Sequence, residues 1–386
     1  MFKKGPSAGF SYMFLLIILF SFFIRIPAVA APHLETDEMI YQTLACQILI
    51  APSHYSLQGT SILKTLPKQM YDRPVFFHPP LFVVCLAFMT FLFGSKWAVM
   101  VSVVSGVGTI ILTYDICRRL YDDKKALMAA AIAFCCPLLL FCSTRILIDM
   151  FLAFLISLTV WSFLIAAQSN TRSYFIYSGI IFGLSLLTKQ VGLLILLTCV
   201  YILFKEGFSK QKFISFIYFL FTAILICSPW YLYFYKIYHT ISPWWAMPSH
   251  ELIKVYPFIR MMVNRPWHFY FTCWAVIAPV YLLTFFNILY SIKSKRISPE
   301  IIWAFSFLIP LTLLGLNGWG FQTRYVVPAI PALAILCANV LDTKDRWVQV
   351  LGVLFLCVGF ITGILNSLVF RPEEIFPFYV LMRIHA

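Results

Sequence analysis

Charged residues are scarce in this sequence, and acidic residues are the scarcest of them. Only 11% of the 386 residues are charged, with 15 Asp and Glu against 29 Lys and Arg, whereas 61% are hydrophobic. A soluble globular domain carries about 25% charged residues. Together with a mean hydropathy of +0.88, this shortage excludes a soluble globular enzyme and predicts an all-α polytopic membrane protein.

Metal-binding and disulfide patterns are also missing. The 11 cysteines form no CxxC pair, and none lies at metal-ligand spacing from a histidine. Most of them lie inside apolar runs and are interpreted as small buried residues. We therefore expect no disulfide framework and no cofactor, and a divalent metal is not implied.

The basic residues give a net charge of +14, but they occur in short clusters between apolar runs. Such clusters set membrane topology and contact anionic headgroups. The pattern therefore argues against nucleic acid as a partner and favours the lipid bilayer.

The apolar runs have the length of membrane spans. The first, 10–29, is longer than the core of a cleaved signal peptide, so it is interpreted as a retained signal anchor, with a cleaved signal as the alternative. Further runs follow at 97–116, 126–143, 150–168, 174–187, 190–204, 213–235, 267–290, 300–316, 325–341 and 347–369.

The short run 79–93, which begins with two prolines, decides the topology. If it does not cross the membrane, the basic clusters between spans fall on the cytoplasmic side, as the positive-inside rule requires. We therefore predict about eleven transmembrane helices, an outer-leaflet half-helix at 79–93 and a single integral membrane domain over 1–386. The expected extracytoplasmic parts are 30–96, 236–266 and an external tail at 370–386, without a soluble C-terminal domain.

The first polar segment contains an acidic pair, Asp37 and Glu38. The pattern predicts an amphipathic juxtamembrane helix that begins at this pair. Asp37 is then either an N-cap, with Glu38 complementing the helix dipole, or a general base at the membrane edge. The apolar positions at helical spacing are Ile40, Tyr41, Leu44, Ala45, Ile48 and Leu49.

Two more polar groups each allow a structural and a functional interpretation. Tyr71, Arg73 and His78 form either a turn before a helix or an anchor for a phosphate. Arg145 and Asp149 form either an i, i+4 ion pair at a helix end, or they place a second external carboxylate near the first.

Three isolated residues complete the set of candidates. Lys189 stands between two short apolar runs, and Arg324 precedes another. Each is either an interface anchor, which for Lys189 means snorkelling, or a ligand for an anion. His250 lies in a charged cluster of the 236–266 segment.

Carboxylates and cations on one side of a membrane suit one reaction well. An acceptor hydroxyl attacks a sugar linked to a lipid phosphate, while a carboxylate removes the hydroxyl proton. Lys and Arg stabilise the leaving phosphate. A monophosphate needs less neutralisation than a nucleotide diphosphate, so a metal is not obligatory.

The order of these motifs resembles the GT-C glycosyltransferases, in particular the branch of protein O-mannosyltransferases and bacterial aminoarabinose lipid A transferases. The matching pieces extend over most of the chain, from about residue 35 to about residue 335. They are Asp37-Glu38 with Tyr41, His78-Pro79-Pro80-Leu81, Leu92-Phe93-Gly94, Arg145 to Asp149-Met150, Gly183-Leu184, Leu187-Thr188-Lys189, Ser228-Pro229-Trp230-Tyr231, and Arg324-Tyr325 with Pro328 and Pro331.

The resemblance implies a GT-C-like helical bundle and an inverting transfer at the extracytoplasmic face. The donor is a sugar on dolichyl or undecaprenyl phosphate, and the acceptor is a hydroxyl of a protein, lipid or glycan. The membrane is a bacterial or archaeal plasma membrane or that of the endoplasmic reticulum. The implied catalytic residues are Asp37 as base, with Glu38 and Asp149 positioning the substrates.

The resemblance also suggests a donor site. Lys189 and Arg324 hold the donor phosphate, and the sequence offers Arg73 and His78 as further ligands. Substrate contacts are expected from Tyr41, Tyr71, His250 and Tyr325.

The sequence departs from the family pattern at Ile40, where Arg is frequent, and at Gln190, where a small residue is usual. Both departures bear on donor contacts and acceptor identity more than on the reaction. A transporter or flippase of lipid-linked sugars is disfavoured, because its charged residues belong near the bilayer midplane. A non-catalytic subunit of a glycosylation complex would show the same features.

Overall fold

The computed structural model describes residues 8–30, 36–66, 68–241, 268–270, 279–294, 297–314, 316, 322–343 and 345–365. Every regular element in these ranges is helical. The first half of the chain contains α1 (Ala8–Phe23), α2 (Pro27–Ala30), α3 (Thr36–Ile50), α4 (Lys68–Tyr71), α5 (Leu81–Phe93), α6 (Met100–Leu120), α7 (Asp123–Phe134), α8 (Pro137–Ser143) and α9 (Ile148–Ser169). The second half contains α10 (Arg172–Leu186), α11 (Leu196–Lys205), α12 (Lys210–Tyr238), α13 (Leu283–Lys293), α14 (Pro299–Leu314), α15 (Ile330–Leu341) and α16 (Arg346–Ile364).

Short 3-10 helices connect several of these elements. Two of them, Gln190–Ile195 and Thr323–Ala329, lead into α11 and α15 and follow or contain candidate site residues. A 3-10 helix is tighter than an α-helix and rarely runs beyond a few residues. It therefore marks the places where a long apolar stretch is not one straight helix.

Six helical stretches within the described residues are long and apolar enough to cross a bilayer, or seven if α7 and α8 form one bent span. The six are Gly9–Ala30, Ser95–Leu120, Ile148–Ser169, Lys210–Tyr238, Thr323–Leu341 and Arg346–Ile364. The structure thus agrees with a multi-pass membrane protein, and the count of eleven spans stays a prediction. Residues 242–266 of the second external segment and the tail 370–386 lie outside the described residues.

The predicted run 126–143 is broken into α7 and α8, which meet at 62°. Pro137 begins α8, and Cys136 before it is extended, with φ −69° and ψ 117°. Proline has no amide hydrogen and disfavours a helical conformation in the preceding residue. The break therefore follows from the sequence. The far end of α8 is tied to the first apolar helix, because Arg25 Nε donates a hydrogen bond to Ser143 Oγ at 2.6 Å.

The main bundle is built around α9, which packs against α6 and α10, and α10 packs in turn against α12. A glycine permits the close contact between α10 and α12. A Cβ added at Gly183 would lie 2.9 Å from the backbone oxygen of Ala223. Small residues allow such close approach of helix backbones in membranes. This contact fixes the end of α10, from which Lys189 follows.

A second, smaller core lies between α3 and α5. Ile40, Tyr41, Leu44 and Ala45 are at most 3% exposed, as the predicted apolar face of α3 requires. Leu49, by contrast, is 42% exposed and lies off that face. The buried face fixes the rotation of α3 and therefore the direction in which its acidic first turn points.

The predicted half-helix is α5. It has 13 residues and follows Pro80, its N-cap residue, so it is about 20 Å long. That length is shorter than the roughly 30 Å hydrocarbon core of a bilayer. The short helix agrees with a segment that does not cross, and its position in the outer leaflet stays a prediction.

A candidate active site of two carboxylates and two cations

Four charged side chains from four different segments meet in one cluster. Asp37 belongs to the first turn of α3 and forms an ion pair with Arg324, which lies in the 3-10 helix Thr323–Ala329. The two side chains are 31% and 21% exposed. A contact between residues 287 positions apart joins the small core to the main bundle.

The other half of the cluster is more deeply buried. Lys189 Nζ lies 2.7 Å from Asp149 Oδ1, and the two side chains are 6% and 3% exposed. Arg324 Nε lies 3.4 Å from Asp149 Oδ2. Arg324 therefore stands between both carboxylates, and the four groups, which we call the ion cluster, carry no net charge when all are ionised.

The local fold explains how the buried pair is placed. Asp149 is in the first turn of α9, where the helix dipole favours a carboxylate. Lys189 follows the end of α10 with an extended backbone, φ −157° and ψ 136°, so that its side chain turns inward. It does not snorkel to the surface, because the residue is only 5% exposed. Its ammonium lies 4.3 Å from the ring centroid of Tyr325, a cation–π contact.

Gln322 orients the guanidinium of Arg324. Its Oε1 accepts a hydrogen bond from Arg324 Nε at 2.6 Å, and its backbone amide donates to Tyr270 Oη at 3.3 Å. Sequence reasoning did not single out Gln322 or Tyr270. Both are uncharged, and only the proximity of Gln322 to Arg324 along the chain points to a role.

Burial first raises the pKa of the Asp37 carboxyl, but the charge and hydrogen bond of Arg324 outweigh burial. The net pKa of Asp37 therefore lies below its ordinary value. In this state the carboxyl is ionised but engaged, which makes it a weak base.

His78 lies beside the cluster among aromatic rings. Its ring centroid is 4.6 Å from that of Phe77 and 6.4 Å from that of Tyr41. Burial, and then the nearby charge of Lys189, lower the pKa of His78 to about 3. His78 is therefore neutral near neutral pH, and any contact it makes to a phosphate is a hydrogen bond rather than an ion pair.

Tyr41 and Tyr71, which the sequence predicts to contact substrate, lie near the ion cluster. Tyr41 is 3% exposed, and burial followed by the charge of Asp37 raises its pKa well above the ordinary value. Burial and the charge of Asp37 likewise raise the pKa of Tyr71. Both phenols stay protonated and are available as hydrogen-bond donors.

Glu38, although next to Asp37 in sequence, points elsewhere. It is 1% exposed, and its Oε1 accepts a hydrogen bond from the Ile146 amide at 3.0 Å. Its Oε2 lies 3.6 Å from Arg145 Nη1. Arg145 thus pairs with α3, whereas Asp149 pairs with the two site cations. The second carboxylate that meets Asp37 around Arg324 is Asp149.

The two remaining candidates are placed differently. Arg73 lies in the loop after α4, where its carbonyl accepts a hydrogen bond from Ser56 Oγ at 2.5 Å and its charge acts on Tyr238 of α12. His250 lies outside the described residues. The role of Arg73 as a phosphate ligand stays a prediction.

An apolar pocket of about 430 Å³ opens beside Asp149, Lys189 and Tyr325. Its other lining residues are Leu152, Val191, Tyr270, Phe307, Leu311, Leu314 and Pro328. No three His, Cys, Asp or Glu side chains form a metal-binding group in the part of the chain that the structure describes. Lys189 and Arg324 supply positive charge at the described site.

Comparison with solved structures identifies this architecture. The chain matches ArnT from Cupriavidus metallidurans, in a crystal structure bound to undecaprenyl phosphate, with a TM-score of 0.64 and 18% identity over 96% of this chain and 67% of that one. It also matches the oligosaccharyltransferase of Archaeoglobus fulgidus, with a TM-score of 0.52 and 15% identity over 97% of this chain and 56% of that one. The chain shares the GT-C fold of these two structures.

Sequence comparisons point to the same group of proteins. Residues 77–233 match the family model of dolichyl-phosphate-mannose-protein mannosyltransferases. The chain is 24% identical over 356 residues to the undecaprenyl phosphate-alpha-4-amino-4-deoxy-L-arabinose arabinosyl transferase of Pseudomonas aeruginosa. The match covers 86% of this chain and 60% of that relative, so the chain spans well under the full length of the curated protein.

Proposed function

We propose that this GT-C chain transfers a sugar from a polyprenyl phosphate to an acceptor hydroxyl, with the ion cluster as its active site. The observation that carries the proposal is the position of Arg324, which lies between the partly exposed carboxylate of Asp37 and the buried Asp149–Lys189 pair. A phosphate ligand and a proton acceptor are thereby held next to each other. Relatives whose names contain dolichyl and undecaprenyl phosphate support a polyprenyl donor.

In the proposed reaction, Asp37 accepts the proton of the acceptor hydroxyl. The hydroxyl oxygen forms a bond to the anomeric carbon, and the bond from that carbon to the phosphate oxygen breaks. Attack from the face opposite the phosphate inverts the anomeric configuration. The polyprenyl phosphate leaves with the bonding electron pair, and its added charge is stabilised by Lys189 and Arg324.

The described groups have distinct parts in this scheme. Asp149 holds Lys189 by a short ion pair and thereby places its ammonium. Tyr41, Tyr71, Tyr325 and neutral His78 supply hydrogen-bond donors and aromatic surface for a sugar. We assign the site to the extracytoplasmic face on the basis of the positive-inside pattern of the sequence.

The substitution Asp37→Asn tests the proposal. It removes the base while keeping the size of the side chain, so we expect the transfer rate to fall by about 10²- to 10⁴-fold. The assay is release of free polyprenyl phosphate from a lipid extract of the native membrane, followed by mass spectrometry. Asp72→Asn is the matched control, since Asp72 is an exposed carboxylate in the loop before His78. Equal transfer by wild type and Asp37→Asn would remove Asp37 as the base.

A further inference from the structure

Arg324 is shared among three acceptors, and its single Nε–H lies near two of them. It contacts Asp37, its Nε is bonded to Gln322 at 2.6 Å, and the same nitrogen lies 3.4 Å from Asp149. The Asp37 oxygen that Arg324 occupies is Oδ2. A general base needs a free lone pair directed at the proton that it accepts. In this arrangement one of the two oxygens of the base is engaged.

The charges of the ion cluster show what a donor would change. The cluster sums to zero, and a sugar phosphodiester brings one negative charge. Asp149 keeps Lys189 at 2.7 Å in a nearly buried pair. Asp37 is ten times more exposed than Asp149, at 31% against 3%, so water can solvate it when Arg324 leaves. Asp37 is therefore the carboxylate that loses its contact with Arg324 when the phosphate binds.

We propose that Arg324 is a shared counter-ion that the donor phosphate takes from Asp37, so that donor binding switches the base on. This inference rests on the proposed function and adds an order of events to it. Without donor, Asp37 is paired with Arg324 and is a weak base. With donor, Asp37 loses a hydrogen-bond donor and gains a negative neighbour, and both changes favour its protonated form.

The proton transfer balances in charge. With the diester bound, two carboxylates, two cations and one phosphate charge sum to −1. After transfer Asp37 is neutral and the released phosphate carries two negative charges, so the sum is again −1. The base therefore becomes a proton acceptor in the same step in which the leaving group becomes more negative.

Gln322 lets Arg324 exchange partners while its guanidinium stays held at Nε. The bond to Gln322 holds Nε at one end of a guanidinium edge, and Nη2 at the other end of the same edge contacts Asp37. A small rotation of the guanidinium about the held Nε moves Nη2 from the carboxylate toward a phosphate. Gln322 is thus a positioning residue for the exchange.

The test measures binding of a non-transferable ligand, geranylgeranyl methyl phosphate, which is a diester with the single charge of the donor and no sugar. Full-length protein in lipid nanodiscs is titrated with it. If Asp37 competes with the phosphate for Arg324, Asp37→Asn binds the diester more tightly than wild type, by about 10-fold. Asp72→Asn controls for the loss of a nearby negative charge and should change the affinity far less.

A double substitution separates competition from general electrostatics. In an Arg324→Gln background, no guanidinium is left to compete for, so Asp37→Asn should improve binding much less than it does in the wild-type background. Equal or weaker diester binding by Asp37→Asn, with normal binding by wild type, overturns the exchange and leaves the proposed function standing. Failure of wild type to bind the diester overturns both.

A measurement on the unaltered protein, with His78→Gln as its control, covers the case in which the Asp37 and Arg324 variants do not fold. Titration calorimetry in buffers of different ionisation enthalpy reports the protons taken up on binding. The diester itself does not titrate near neutral pH, so uptake at pH 5–6 that persists in the His78→Gln protein is assigned to Asp37 rather than to the neighbouring imidazole. Binding without proton uptake across that range overturns the exchange.

Discussion

His78 shows what burial does to a single titratable residue near the ion cluster. It faces Lys189, Arg324 and Asp37, and the rings of Phe77 and Tyr41 pack around it. Its folded-state pKa is about 3, against 6.5 for an ordinary histidine. Below pH 6.5 the unfolded chain binds a proton that the folded chain does not accept, so stability falls as the pH falls toward 3.

Replacing His78 by Gln should remove this fall in folding stability at acidic pH. Between pH 6.5 and about 4.5, we expect the melting temperature of wild type to fall by about 2–4 °C more than that of His78→Gln. Asp37 does not confuse the measurement, because its lowered pKa matters only below its ordinary value of 3.8. Thermal-shift curves of both proteins over this pH range test the prediction, and parallel losses would contradict it.

The charged site residues could be found from the sequence because charge is scarce in it. An isolated Lys189 or Arg324 between apolar runs attracts attention at once. The partners could not be predicted, since Arg324 pairs with a residue 287 positions away. The resemblance implies that Glu38 positions a substrate beside Asp37, and successive helix residues point about 100° apart. That rotation turns Glu38 toward Ile146 and Arg145.

Glu38 connects helix α3 to the segment between α8 and α9. The contact with the Ile146 amide and with Arg145 lies three residues before Asp149, so it fixes the distance between the two site carboxylates. Arg145 also stacks over Phe141, with its guanidinium carbon 4.6 Å from the ring centroid. The structure assigns Glu38 a place in the scaffold of the site.

The substitution Glu38→Ala should therefore act on stability. Removing one partner of a buried ion pair costs about 3–5 kcal/mol, so we expect a large drop in melting temperature and in yield. Glu38→Gln keeps an acceptor for the Ile146 amide and should lie between Ala and wild type. Thermal unfolding in detergent measures the series, with Asp72→Asn as the exposed control. An unchanged melting temperature for Glu38→Ala would exclude the scaffold role.

The elements themselves were predictable to different degrees. The apolar spacing after Asp37 predicts α3 and its buried face, except at Leu49. The run 126–143 reads as one span by hydropathy, although Pro137 within it signals the break between α7 and α8. Hydropathy averaged over a window does not register a local backbone constraint, and this is why the two signals disagree.

At the scale of the whole molecule, the charge pattern predicts a side for each end of the bundle. Lys96 is exposed after α5, and Lys124 has a 60% exposed side chain at the start of α7. The positive-inside rule places Lys124 in the cytoplasm and Lys96 outside. The ion cluster should share the side of Lys96, because α3 and α5 pack together.

Single cysteines at these two positions test the topology. The background carries Cys46→Ser and Cys357→Ser, since both native thiols are exposed. On intact cells, a membrane-impermeant maleimide should label Lys96→Cys, whereas Lys124→Cys should react only after permeabilisation. The reverse pattern would invert the bundle and place the ion cluster in the cytoplasm.

On the proposed function, the apolar pocket next to the electrically balanced cluster favours phosphates that carry a hydrocarbon chain. A balanced cluster exerts little long-range attraction, so a water-borne anion such as free phosphate or a nucleotide is not drawn in. A headgroup attached to a hydrocarbon chain also gains about 25 cal/mol for each Å² of apolar surface that it buries. On the proposed function, this neighbourhood thus favours amphiphiles over soluble phosphates.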